Sequence, residues 1–183
     1  MLQENEISII IPVFNAEGCL KLTVEKVCSI LTSMNVSFEI VLIDDASADG
    51  TWKVIKDIKS TNKYIKAIRF NKNYGQHFAT LCGYYLAKGD FIVCIDEDMS
   101  KYIVEVCNTN EYKDVDVFYF YYNKNDMYKS SVRKFFSNSY KSVINKIVNL
   151  KKHSTFRIIS KDLRNRMLED KHVFWNLDVM IFD

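Results

Sequence analysis

Hydrophobic positions in the first half of the chain follow two alternating rhythms. Ile7 to Phe14 (ISIIIPVF) is an unbroken, mostly β-branched run, as a strand buried on both faces requires, and Pro12 falls near its end, where a ladder donor can be spared. From Glu17 onward the apolar residues Leu20, Val24, Val27, Cys28, Leu31 and Met34 recur at the spacing of one helical face, which predicts a helix after that strand. The alternation then repeats. FEIVLI (Phe38 to Ile43) predicts a strand, Trp52, Ile55 and Ile58 a short helix, IKAIRF (Ile65 to Phe70) a strand, Gln76 to Ala87 a helix, and FIVCI (Phe91 to Ile95) a fourth strand. Buried strands separated by helices of this length imply right-handed βαβ crossovers, hence an α/β fold with a mostly parallel twisted sheet flanked by helices.

Beyond Asp98 the rhythm is weaker. DVFYFYY (Asp116 to Tyr122) predicts a strand; Val132, Phe135, Phe136, Val143, Ile147 and Val148 outline a long helix; TFRIIS predicts a last strand. Ser160 then stands where it would cap a short helix carrying Leu163, Met167 and Leu168. The apolar closing stretch VFWNLDVMIFD predicts a chain that stops inside a packed element, as a shortened protein would.

Composition changes this picture little. At 183 residues, 48% apolar and 26% charged, with one proline and five glycines, the chain has no linker-like stretch, and a single domain over 1–183 is expected, its halves being 1–98 and 99–183. The start, MLQENEI, lacks a basic n-region, and the runs free of Asp, Glu, Lys and Arg, such as Val27 to Phe38 and Asn73 to Ala87, are short of the ~18 residues of a membrane span, so neither a secretory signal nor a transmembrane helix is expected. Five cysteines without a CxxC pair read as core thiols of a reducing cytoplasm, and His77, His153 and His172 have no zinc-ligand spacing.

Charge is informative in its distribution. Residues 1–123 carry 12 basic and 17 acidic side chains, whereas 124–183 carry 13 and 6. The basic half either solvates helix faces or meets lipid head groups, phosphates or nucleic acid.

In an open parallel sheet, ligands bind beyond the carboxyl ends of the strands, and these positions are acidic here: Asn15 and Glu17 after the first strand, Asp44, Asp45 and Asp49 after the second, Asp96, Glu97 and Asp98 after the fourth. Neither GxGxxG nor a P-loop is present, so a bare phosphate would be repelled. Two carboxylates at ~4 Å repel by about 4 kcal/mol at an effective dielectric near 20. A helix N-terminus returns at most ~1 kcal/mol per carboxylate, whereas a divalent cation between Asp96 and Asp98 offsets the whole repulsion. Mg²⁺ or Mn²⁺, hard ions that take carboxylate oxygens and leave positions for a diphosphate, suit that pair. DDASADGT also reads as a helix start, with Ser47 or Asp49 as cap, but that leaves two carboxylates at the strand terminus free to accept from a nucleobase imide or a ribose hydroxyl.

In their order, the segments ISIIIPVFNAE, FEIVLIDDASADGT, FNKNYGQHFATLCGYYLAKGDFIVCIDED and, less closely, SSVRKFFSNSYKSVINKI with TFRIIS resemble family 2 glycosyltransferases of the GT-A fold. The nearest branch includes dolichol-phosphate mannose synthase and bacterial polyprenyl-phosphate glycosyltransferases, and the resemblance covers residues 7 to about 168. It implies that Pro12, Phe14, Asp44 and Asp45, with Asn15 and Glu17 beside them, hold the nucleoside, and that Asp96 and Asp98, with Glu97 between, form the metal-binding DxD. It further implies that Arg133 meets phosphate and that Gln76 lies in the donor loop where Gly75 serves a turn. Arg157 matches the family's FR position, with a buried ion pair as its other reading. Ala16 stands where an acidic residue is common, Ser100 where the polyprenyl branch has glutamine, and the proline-rich turn after the DxD is missing.

The expectation is therefore an inverting, metal-dependent hexosyl transfer from a UDP-, GDP- or dTDP-sugar to a polyprenyl phosphate or cell-surface glycan. The DxD residue Asp98 would be essential, and Asp178 is the candidate base where the acceptor is a hydroxyl. Such a protein would work in the cytoplasm, at the inner face of a membrane it touches peripherally, without nucleic acid. The alternative is a nucleotide-binding remnant or regulatory module of the same fold without turnover. A receiver-like phosphoacceptor would need its acidic pair after the first strand, where this chain has none.

Overall fold

The structure, a computed structural model, describes residues 7–96, 103, 116–119 and 157–169. Its elements are β1 (Ile7–Val13), α1 (Leu20–Ser33), β2 (Phe38–Asp44), α2 (Thr51–Thr61), β3 (Ile65–Arg69), α3 (Gln76–Leu86), β4 (Phe91–Cys94), β5 (Val117–Tyr119), β6 (Arg157–Ser160) and α4 (Lys161–Glu169). Each predicted element of the first 96 residues is present, with ends displaced by three residues at most. The long helix expected around 132–148 lies outside the described residues.

The strands form one six-stranded sheet in the order β3-β2-β1-β4-β6-β5. β1 runs parallel to β2 and β4, and β2 parallel to β3, as the βαβ rhythm requires. β6 runs antiparallel to both β4 and β5, so the sheet is mixed at one edge. Strand pairing across such sequence distances leaves no local signal, which is why TFRIIS predicts a strand but not its direction.

β1 and β2 are buried along their whole length. Because successive side chains point to opposite faces, Ile9 and Ile11 pack with Leu20, Val24, Val27 and Leu31 of α1 and Ile55 of α2. Ile10, between them, packs with Ala79 and Tyr84 of α3, and Leu163 and Met167 of α4 cover the same face. The sheet is thus covered on both sides, and α3 lies close against it: a Cβ placed on Gly83 would stand 2.4 Å from Ile10 Cγ2.

Local signals fix the helix ends. α1 closes with Asn35 at φ 55, Val36 N donating to Leu31 O and Asn35 N to Thr32 O, the Schellman arrangement that returns two orphan carbonyls to partners. The expected cap of α4 is present, Leu163 N donating to Ser160 Oγ at 3.1 Å. At the amino-terminal rim of the sheet, buried Glu39 accepts from Ser8 Oγ (2.7 Å) and Lys88 N (2.6 Å) and is paired with Lys66. The acidic strand ends lie at the opposite rim.

Candidate functional site

Two loops meet beyond the carboxyl ends of β1 and β2. Asp45 N donates to Val13 O, extending the ladder by one residue, and then Asn15 (φ 52) and Ala46 (φ 58) take the left-handed conformation that turns each chain out of the sheet. Side chains stitch the loops together reciprocally. Asn15 N donates to Ser47 Oγ (2.9 Å), Ala48 N to Asn15 Oδ1 (2.9 Å), Ala16 N to Thr51 Oγ1 (2.8 Å) and Gly50 N to Glu17 Oε2 (2.9 Å). Ala16 is buried in the core beneath this lacing, and the acidic group of the loop is supplied one position later, by Glu17. The N-cap of α2 is Gly50, with no side-chain cap bond, rather than Ser47 or Asp49; Asp49, one residue earlier, accepts from Thr51 N, and the Thr51 hydroxyl bonded to it holds its carboxyl below its ordinary value.

The two carboxylates at the end of β2 have different surroundings. Asp44 is fully buried, with Ser47 N donating to Oδ1 (3.0 Å) and Arg69 Nε 3.1 Å from Oδ2. Arg69, at the carboxyl end of β3, also donates from Nη2 to Ser47 O (2.8 Å), and its guanidinium lies 5.9 Å from the Trp52 ring centroid. Reading the acidic strand ends alone misses Arg69, although the same strand-end rule applied to β3 points to it. Asp45 reaches the other way: Tyr74 N donates to its Oδ1 (2.7 Å) and Gly75 N to its Oδ2 (2.8 Å). Gly75 has φ 90, the turn predicted for it, and starts α3.

The next residue, Gln76, extends its amide to Asp96, Nε2 standing 2.5 Å from Oδ1. Asp96 follows β4, whose course beyond the last β1 pair is held by Ile95 N donating to Ile10 O. Pro12 is buried in β1 and, facing the same side as Ile10, its missing N–H falls past that last pair, while Phe14 is 46% exposed at the rim. Asp44, Asp45, Gln76 and Asp96 are thereby gathered at one rim, linked by contacts between the loops. Glu97, Asp98, Arg133 and Asp178 lie outside the described residues, and among the described residues no group of three acidic, histidine or cysteine side chains suited to a metal occurs. The chemistry of Asp96, a partly exposed carboxylate at a strand end, fits a hard cation completed by a second carboxylate.

Arg157 lies opposite Cys94 in β6, buried, and donates from Nε to Tyr84 OH (3.1 Å). Burial pushes the Cys94 thiol up to about 11, as expected of a core cysteine.

A parallel α/β core with an acidic strand-end rim and one antiparallel strand, β6, set between β4 and the edge strand β5 is the architecture of the GT-A fold. The sequence matches Glycosyl transferase family 2 over residues 8–169, and the chain belongs to that family. It is 34% identical over 94 residues to the undecaprenyl-phosphate 4-deoxy-4-formamido-L-arabinose transferase of Aeromonas hydrophila subsp. hydrophila, a match covering 51% of this chain and 29% of that protein. Its fold is that of the mannosyltransferase PcManGT from Pyrobaculum calidifontis, in complex with GDP-Man and Mn²⁺ (TM-score 0.59, 15% identity, covering 91% of this chain and 47% of that one). S. aureus TarS 1-349 in complex with UDP-GlcNAc is similar to the same degree (TM-score 0.58, 17% identity, 87% and 46%). The chain thus corresponds to less than half of each of these proteins. Among the described residues no helix is long and apolar enough to cross a membrane.

Proposed function

We propose that this chain is the donor-binding core of an inverting, metal-dependent glycosyltransferase that draws a sugar from a nucleotide diphosphate and passes it to a polyprenyl phosphate or a glycan. The observation that carries this reading is the continuous link from Asp45 through Gly75 and Gln76 to Asp96, which joins a nucleoside-type acceptor pair to a metal-type carboxylate on one rim. The two structural relatives with bound donors, and the Aeromonas transferase with its undecaprenyl phosphate, supply the classes of donor and acceptor considered.

In this reading the nucleoside seats at the strand ends that carry Pro12, Phe14, Asp44 and Asp45; Asp44, fully buried and paired with Arg69, shapes that seat from beneath, and Asp45 holds the neighbouring loop through Tyr74 and Gly75. Asn15 and Glu17 keep the β1 loop in place against the β2 loop. Asp96 and Asp98 would hold Mg²⁺ or Mn²⁺, which when bound neutralises the diphosphate as it leaves. Arg133 meets the phosphates. The acceptor oxygen bonds to the anomeric carbon as the bond to the diphosphate oxygen breaks, so configuration inverts. A phosphate acceptor is already anionic and needs no base, whereas a hydroxyl would give its proton to a carboxylate such as Asp178. Contact with a membrane from the cytoplasmic side suits a lipid-linked acceptor.

The test is calorimetric titration with UDP-, GDP- and dTDP-sugars with and without Mn²⁺, with Asp98→Asn as control. Metal-dependent binding of one donor, lost in Asp98→Asn, is expected. Binding indifferent to both metal and substitution would sink the mechanism, and binding without any sugar transfer would point to a regulatory module instead.

A further inference from the structure

Val13, Asp44 and Arg69 stand side by side across the carboxyl ends of β1, β2 and β3, each the register partner of the next. The acids at that rim have little left to offer a ligand. Asp44 is wholly buried, with Ser47 N on one oxygen and the Arg69 guanidinium against the other. Asp45, 3% exposed, accepts from Tyr74 N and Gly75 N with its two oxygens. Arg69 differs from both. Its side chain is 40% exposed, and within the described residues its contacts to Asp44 and Ser47 O engage Nε and Nη2. A guanidinium only donates, so the N–H groups of Nη1 remain to be given to an acceptor. Those two anchors, with the Trp52 ring 5.9 Å away, hold the planar group at the rim.

Resting on the proposed donor-site reading, we infer that Arg69 is a specificity-determining residue of the nucleoside seat: it donates to a keto oxygen of the base and so selects uracil, thymine or guanine against adenine. Base recognition then comes from a donor held at the rim, not from the buried carboxylates. Adenine has no keto oxygen and carries an amino group where guanine has one. A donor fixed by Asp44 and Ser47 O would meet a donor there, leaving both unpaired. A site built around a hydrogen bond rejects a ligand that lacks the partner far more sharply than an apolar pocket rejects a misfit. The Asp44–Arg69 pair carries no net charge, which suits a neutral base better than a diphosphate.

Ligand-detected NMR, which reaches millimolar constants, tests this with UDP, GDP, dTDP and ADP in Mg²⁺ against wild type, Arg69→Met and Arg69→Lys. Arg69→Met leaves Asp44 unpaired and is at risk of not folding, whereas Arg69→Lys keeps a cation beside it. A lysine ammonium lacks the planar fork that serves Asp44, Ser47 O and a base together. Wild type is expected to bind one of the keto bases at least about tenfold more tightly than ADP. Both variants should weaken that ligand by about tenfold or more and leave ADP within about twofold. Equal weakening of every ligand means that Arg69 merely braces the loop, and overturns the inference. So does a preferred ligand held within about twofold of wild type in Arg69→Lys. Wild-type binding of ADP as tight as that of the keto bases overturns it too, while donor binding stands. If none of the nucleotides binds wild type, the donor-site reading itself fails and takes this inference with it.

Discussion

At the scale of single residues, the close approach of α3 to β1 makes a sharp prediction. Gly83 sits in α3 where any Cβ would stand 2.4 Å from Ile10 Cγ2, and Ile10 is fully buried in the central strand with neighbours on both sides. Helix propensity alone favours alanine over glycine by roughly 1 kcal/mol. Forcing a methyl group into a packed core costs about 1–3 kcal/mol, because α3 must rise off the sheet or Ile10 must leave its rotamer. An approach of 2.4 Å puts the steric cost in the upper part of that range, about 2–3 kcal/mol, so Gly83→Ala is expected to lose about 1–2 kcal/mol net in urea denaturation. Adding Ile10→Val to that variant would return little of the loss, since valine keeps the Cγ2 that stands 2.4 Å from the new Cβ and removes only the Cδ1 methyl at 3.0 Å. An equal or raised midpoint for Gly83→Ala would show that α3 is not pressed on β1 as described.

At the scale of elements, α3 is charged favourably at both ends by segments remote in sequence. Asp45 accepts from the N–H groups of Tyr74 and Gly75 at its start, and Arg164 of α4 donates from Nη1 to Ala87 O (2.8 Å) at its end. Both placements match the helix dipole. Asp45→Ala removes two charge-assisted acceptors, but the exposed loop lets water replace part of the bonding, so a loss of about 2 kcal/mol is expected, with Asp45→Asn near half of that. Arg164→Met leaves the terminal carbonyls without their buried donor, again costing about 2 kcal/mol. An 11-residue helix separates the two sites by roughly 16 Å, so the double variant should lose the sum of the single losses to within about 0.5 kcal/mol in urea denaturation. A loss well short of the sum would mean that either change already frees the whole helix. This element also marks what the chain made legible. The unbroken run at Ile7–Val13 predicts a strand buried on both faces, and residues alternating to opposite layers are found there. The glycine at 75 predicts a turn, and φ 90 is found. The Asp45 clamp, the Arg69–Asp44 pair and the Gln76–Asp96 bond were not legible, because each joins residues from separate strand ends that only the sheet order brings together.

At the scale of the whole molecule, charge separates along the sequence: an acidic surplus in residues 1–123 and a basic surplus of seven in 124–183. The acidic part includes the rim where Asp44, Asp45 and Asp96 gather, and a cation there would serve an anionic donor. The basic part suits an anionic acceptor surface, each Lys or Arg that nears an acidic leaflet contributing about 1 kcal/mol. If contact with the membrane is electrostatic, the protein should sediment with vesicles containing phosphatidylglycerol at low salt and not with purely phosphatidylcholine vesicles. Raising the salt to about 1 M shrinks the screening length to about 3 Å, and the bound protein should then be released. Retention at high salt would mean that apolar insertion dominates, and failure to bind either vesicle at low salt would remove membrane contact from the proposal while leaving donor binding untouched. Substituting Lys151 and Lys152 by glutamine together tests the source of the attraction, since two fewer charges lower the binding constant by about an order of magnitude or more if both lie near the lipid surface.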